Sequence, residues 1–457
     1  MAPRRSIVLA GVVGLSLALA ACGGDGSTGA GGGNNTGSNA DCADYSQYGD
    51  LSGKTVSIYT SIVAPEDQPQ IDSYKPFEQC TGAKIKYEGS KEFEAQLPVR
   101  VKSGNPPDIA FVPQPGLLQT LVATGKVVKA PQGVSDNVDK WFGKDWRGYG
   151  SVDGTLYAAP LGANVKSFVW YSPSAFKDAG YQVPQTWDEM MALTEKIAND
   201  TAGTKGVKPW CAGIGSGDAT GWPATDWLED TLLRTAGADV YDKWVTHKIP
   251  FNDPKVTEAL AKDAAILKND KYVNGGLGGV KSIATTTFQD AGQPILDGSC
   301  YMHRQASFYA ANWPEGTKVA EDGDVWAFYF PAVDPAQGKP VLGGGEFVAA
   351  FADRPEVQAF QTYLSSDTWA NNKAKSTPAG GWVSANKGLD INNLVSPIDK
   401  LSAQILQDPK AVFRFDGSDM MPGAVGAGTF WKGMTDWITG KSDADTLNYI
   451  EQSWPKS

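Results

Sequence analysis

Histidine is nearly absent from this 457-residue chain. His247 and His303 are the only two, which leaves little to build a histidine-rich metal site or a Ser-His-Asp triad. Positive charge is also short. Forty Lys and Arg stand against 51 Asp and Glu, giving a formal charge of −11 and a pI near 4.8, so nucleic acid is not an expected partner. No Gly-x-x-x-x-Gly-Lys-Ser/Thr pattern occurs, and the chain is not expected to hydrolyse ATP. No internal repeat of roughly 20 to 50 residues is found. Beyond the N-terminus no apolar run is long enough to span a bilayer. What is present fits a globular chain, with 41% apolar and 20% charged residues. The length allows about three domains at ~150 residues each. Fifteen Trp and 52 Gly are the unusual entries in the composition.

Arg4 and Arg5 precede an apolar stretch from Ile7 to Ala21 that is shorter than the ~20 residues of a spanning helix, as in an export signal. Its end, Leu19-Ala20-Ala21-Cys22, resembles the lipobox of bacterial lipoproteins, which implies cleavage before Cys22 and diacylation of its thiol. Residues 1–21 are therefore read as a lipoprotein signal peptide. Their removal takes away Arg4 and Arg5 and moves the charge from −11 to −13. Residues 22–44, mostly Gly, Ser, Thr, Asn and Ala as far as Ala40, read as a lipid-anchored flexible linker. Two acyl chains give stable anchoring where one is marginal. The expected location is thus the outer face of the cell membrane. Four further cysteines, Cys42, Cys80, Cys211 and Cys300, allow three disulfide pairings in an exported chain. Cys42 with Cys80 and Cys211 with Cys300 are favoured, the first pinning the N-terminal segment to the first helix.

Strands are expected at Lys54–Thr60, Lys84–Tyr87 and Asp108–Val112, with helices at about Pro65–Cys80 and Phe93–Lys102 between them. That order is βαβαβ. It implies parallel strands, with ligands beyond the strand ends at Thr60-Ser61 and Pro113–Gly116. Thr186 to Glu189 has capping-box spacing, a helix should run from about Pro223 to Ala236 before Gly237, and Val256, Leu260, Ala264 and Leu267 mark another. Asp324–Phe330 and Glu346–Phe351 read as strands. Asp353-Arg354-Pro355-Glu356 again has capping-box spacing, with Pro at the first helical position.

Several segments resemble the bacterial extracellular solute-binding proteins of ABC importers, family 1. They are Ser103–Ile109, Asp153–Pro160, Trp170-Tyr171-Ser172 and Pro184–Glu189. Pro209-Trp210-Cys211, Gly221–Asp230, Gln305–Phe308, Gly343–Glu346 and Phe415–Pro422 are similar to motifs of the α-glucoside, maltose-type branch. Gly417 and Glu346 depart from the branch's usual Ala and Asp. The resemblance implies an α/β chain with a two-lobe, periplasmic-binding-protein-like fold, hinge strands and a central ligand cleft. Lobe one is expected at 45–160 and 331–380, lobe two at 165–326 and 385–457, with crossings at Leu161–Ser167 and Tyr329–Ala332. Hinge closure of such lobes over a solute is a recognised mode of periplasmic binding proteins. The implied partners are an oligosaccharide and the permease subunits, with the chain acting as a monomer and needing neither cofactor nor metal.

A saccharide offers apolar C–H faces and a ring of hydroxyls, so its site needs flat aromatic rings and fixed acceptors. Trp222 and Asp226 supply both at four-residue spacing, although Asp226 also suits a helix N-terminus. Gln114, Gln305, Phe308, Glu346, Asp416 and Asp419 complete the expected contacts. Trp170 is a second candidate ring whose hydrophobic strand equally suits a core, and Trp431 and Trp437 are read as core. Two other readings compete. A lipid-anchored glycoside hydrolase would use Asp416 with Asp419, or Asp226 with Glu229, as acid and nucleophile. The same fold with a non-sugar solute would use Arg304 or Arg147 on a carboxylate.

Overall fold

The computed structural model describes residues 42–455, so Cys22, the signal and the linker as far as residue 41 lie outside the described residues. The first lobe is built on a five-stranded sheet. Thr55–Thr60 pairs in parallel with Lys84–Gly89 and Ile109–Val112, as the βαβαβ reading expects. Phe347–Ala350 then runs antiparallel between Ile109–Val112 and Ala158–Pro160. The unbroken apolar run of Ile109–Val112 follows from burial on both faces. Ile109 and Phe111 pack with Val357 and Phe360 on one side, while Ala110 and Val112 pack with Phe93 and Leu97 on the other.

The expected helix over Pro65–Cys80 is two helices, Asp67–Asp72 and Lys75–Thr81. Pro76 lacks the N–H an interior turn needs and is tolerated at a helix start, so the chain breaks before Lys75. Cys42–Tyr48 forms a short 3-10 helix tied to the second of these by the Cys42–Cys80 disulfide. Residues 42–44 therefore belong to the folded body and not to the linker.

The second lobe carries a four-stranded sheet in the order Trp326–Tyr329, Phe168–Tyr171, Cys300–Arg304, Lys208–Cys211. The Cys211–Cys300 disulfide joins its last two strands, with Cα atoms 5.9 Å apart. Helices Trp187–Asp200, Trp222–Ala236 and Pro254–Leu267 cover it and share one large core. The Thr186 capping box forms, the hydroxyl accepting from Glu189 N–H at 3.2 Å and the Glu189 carboxylate accepting from Thr186 N–H at 3.3 Å. The one at Asp353 does not. Arg354 is the N-cap of the Pro355–Leu364 helix and turns its guanidinium to Glu356 and Asp108.

A three-stranded sheet links the lobes. Lys339–Gly344 lies between Ala411–Phe415 and the short strand Asn164–Val165. The outward crossing is at Leu161–Ser167 as expected, but the return crossing lies beyond Tyr329–Ala332. Ala332 still accepts from Trp187 N–H, and Asp334 donates its N–H to Arg234 in the second lobe. Lys339–Gly344 escapes a strand reading because its Pro and two Gly are poor strand residues. Phe413 and Phe415 of the third strand pack on Trp146, binding this sheet to the first lobe. Among the described residues, no helix is long and apolar enough to cross a membrane.

Candidate functional site

The ends of the first-lobe strands, the two crossings and the second lobe enclose a cavity of about 410 Å³. Ser61 and Gln114 reach it from the strand ends, Lys166 and Glu346 from the crossings, and Trp222 and Phe308 from the second lobe. Strand carboxyl ends gather ligand sites in open α/β sheets, and the cavity lies at such ends.

Trp222 opens the Trp222–Ala236 helix directly after Gly221, whose φ of +116 lies in the region that favours glycine. A Cβ at Gly221 would also stand 2.2 Å from the Trp431 carbonyl oxygen, so only glycine lets the helix start there. The indole then meets Phe288 at 5.0 Å and Phe308 at 5.9 Å between ring centroids. This aromatic triangle is one wall. Trp382 supplies another indole on the lining, packed edge-on against Trp369 at 5.5 Å. Its loop is fixed from behind, since Asp399 accepts the Gly381 N–H at 2.8 Å.

Beneath Trp222 lies a layer of buried charge. The Lys166 ammonium donates to Asp226 at 2.9 Å and to Asp416 at 2.5 Å, and sits 5.1 Å from the centre of the Trp222 ring. Asp416 also accepts from the Ser418 hydroxyl at 2.8 Å and from Asp419 N–H at 2.9 Å. Burial opposes its ionised form, but Lys166 and these donors hold its carboxyl below the usual range. Burial pushes Asp226 the other way despite Lys166, so of the two carboxyls Asp416 holds the negative charge more strongly. Burial likewise disfavours the Lys166 cation, and Asp226 and Asp416 overcome that penalty. Glu229 accepts from Gly417 N–H and Ser418 N–H at 2.9 and 3.0 Å. Asp226, Glu229 and Asp416 bring oxygens within 4.8 Å of one another, as a metal cage would, but Lys166 already donates to Asp226 and Asp416 and the two amides to Glu229.

Five expected contacts line the cavity: Gln114, Trp222, Phe308, Glu346 and Asp419. Four do not. Asp226 and Asp416 lie in the charged layer, because each is drawn down to Lys166. Gln305 is buried, its side-chain oxygen accepting from Ala306 N–H at 2.8 Å, and it shapes the turn toward Phe308. Trp170 is core, packed on Tyr309 and Trp313 and donating to the Gln305 carbonyl at 3.0 Å. Trp437 is core as expected, whereas Trp431 lines the cavity and donates to Ser418 at 3.2 Å. Arg304 is spent on Asp230 at 2.9 Å and on the Asp226 carbonyl at 2.8 Å, and Arg147 on Asp139 at 2.8 Å.

Sequence reasoning missed Lys166, Glu66, Glu94, Lys373 and Trp382 on the lining. Lys166 alone left a signal, the one charged residue in the stretch from Leu161 to Trp170. Glu66 accepts from Asn312 of the second lobe at 3.0 Å, and burial raises its carboxyl to about 7. Glu94 accepts from Gln114 at 3.3 Å and is raised to about 7 by burial. Burial brings Lys373 down to about 8 against the pull of Asp399, Glu66 and Glu346.

Such a site, enclosed between two linked α/β lobes and walled with aromatic rings and acceptors, defines a solute-binding protein. The chain belongs to the bacterial extracellular solute-binding protein family, whose pattern it matches over residues 53–371. It is 40% identical to the alpha-glucosides-binding periplasmic protein AglE of Rhizobium meliloti, over 89% of this chain and 88% of the relative. It is 39% identical to the osmoprotective compounds-binding protein GgtB of Synechocystis, over 89% and 94%. Its fold is shared with the bacterial solute receptor AcbH, at a TM-score of 0.70 and 20% identity, covering 88% of this chain and 97% of that one. The family is one of binding proteins, and the chain is not an enzyme. Of the acids in the pairs a hydrolase would need, Asp226 and Asp416 are bound to Lys166 and Glu229 to backbone amides.

Proposed function

We propose that the protein captures an oligosaccharide of the α-glucoside class between its lobes and delivers it to the membrane subunits of an ABC importer. The observation that carries this reading is the cavity itself, where the Trp222, Phe288 and Phe308 rings stand beside the acceptors Gln114, Glu346 and Asp419. Aromatic faces take the C–H faces of a pyranose, and carboxylates and amides take its hydroxyls. Similarity to an alpha-glucosides-binding relative over most of both chains supports the class of sugar. Contact with ligand is assigned to Gln114, Trp222, Phe308, Glu346 and Asp419. Asp226, Asp416 and Gln305 act from behind the lining. The protein works as a monomer held at the outer face of the cell membrane by lipid on Cys22, which mass spectrometry of the mature N-terminus tests. A Cys22 without lipid would overturn the anchor.

The binding reading is tested by thermal shift with maltose, trehalose, sucrose and longer glucosides. A saturable rise in Tm with at least one glucoside, and no shortened product, is expected. No shift with any of them would overturn it.

A further inference from the structure

The two ends of the cavity differ in how their acids are balanced. At one end Glu66 and Glu346 have Lys373 on the lining beside them. At the other, Glu94, Gln114 and Asp419 arrive from three separate chain segments, and the cations of the lining there are the exposed Lys91 and the already paired Lys166. Gln114 gives its amide N–H to Glu94, which leaves its side-chain oxygen, in a residue 4% exposed, without a donor. The Asp419 backbone N–H goes to Asp416, and no donor meets its carboxylate among the described residues.

The groups that face this end do not supply the missing charge. Lys166, from the crossing, is spent on Asp226 and Asp416. Arg304, from the second-lobe sheet, is spent on Asp230. Lys91 stands exposed at the rim, Asp218 adds negative charge toward Glu94, and Asp226 and Glu229 are further acids of the Trp222–Ala236 helix. Burial and the neighbouring acids Asp416, Asp226 and Glu94 keep Asp419 well above the usual carboxyl range despite the opposing pull of Lys166. A hydroxyl can donate to these oxygens but brings no charge. A protonated amine brings three donors and the charge together.

We propose that the Glu94, Gln114 and Asp419 end of the cavity binds a protonated amine, so that amino-substituted saccharides are ligands of this site. This rests on the saccharide reading above. The acidic chain, at −11 overall, favours the approach of such a ligand.

The test is titration calorimetry with maltose and trehalose, and with derivatives of each bearing a primary amine in place of one hydroxyl. At least one amine derivative is expected to bind about tenfold tighter than its parent. The ratio should grow from about pH 6 to about pH 8, because Glu94, raised to about 7, loses its proton over that range while the alkyl ammonium keeps its own. Asp419→Asn and Glu94→Gln should each bring the amine-to-parent affinity ratio toward one. Parents that bind while no amine derivative gains, or a ratio unmoved by both substitutions, would overturn the proposal and leave the saccharide reading standing. Binding of neither parents nor derivatives would overturn both.

Discussion

The lining of the cavity and the charged layer beneath it are a few ångströms apart and are built from opposite principles. The lining exposes rings and unspent acceptors to whatever enters, as with Trp222, Gln114 and Asp419. The layer beneath spends nearly everything it has on itself, with Lys166 bound to Asp226 and Asp416, and Arg304 bound to Asp230. Neighbouring residues of one helix fall on the two sides of this divide. Trp222 reaches the cavity, whereas Asp226, one turn on, turns down to Lys166. The difference teaches that a motif can place residues at a site without placing all of them on the cavity lining.

The strongest way to break this contrast is to remove the cation of the lower layer. Lys166→Met strands Asp416 as a buried unpaired charge and is expected to cost about 3–5 kcal/mol of stability. Denaturant unfolding of the unliganded protein measures this. A loss under about 1 kcal/mol would mean that the layer does not hold the floor together.

Trp222→Ala strikes the lining and should do the reverse. Affinity for the bound glucoside should fall roughly thirtyfold, equivalent to about 2 kcal/mol, while the unliganded Tm stays within a few degrees. Calorimetry that finds unchanged affinity would remove Trp222 from the contact set.

A smaller effect sharpens the boundary between the two. Asp399 is buried behind Trp382 and holds the Gly381 amide, so it positions a lining ring without touching ligand. Asp399→Ala should weaken binding about fivefold, and Asp399→Asn, which keeps the acceptor oxygen, less than about twofold. Fluorescence of Trp382, measured against a Trp382→Phe control, should shift in the alanine variant only. Equal losses in both variants would show that the carboxylate charge, and not the hydrogen bond, matters there.

Much of the first lobe was legible because its signals are local. Val56 and Ile58 alternate with polar residues, Ile109–Val112 is continuously apolar, and the helices between them are marked by caps and spacing. The return crossing was not legible. Lys339–Gly344 carries Pro and two Gly and becomes a strand because Ala411–Phe415 and Asn164–Val165 pair with it on either side. At the site, Trp222 and Phe308 could be chosen because sugar chemistry calls for rings and family motifs mark these ones. Glu66 and Glu94 could not, since a Glu near the start of a helix is ordinary on any surface. Trp382 follows two glycines in a stretch that reads as a loop, and tertiary contacts with Trp369 and Asp399 fix it.

The sequence by itself determined the α/β class, the scarcity of cations, the family and the tryptophan that heads the site. Those properties reside in composition, in short-range periodicity and in contiguous motifs. The tertiary structure alone decided which carboxyls line the cavity and which meet Lys166. Asp226 and Asp416 are 190 positions apart, and only the folded chain brings both to one ammonium, where their pull outweighs the burial that would otherwise neutralise it.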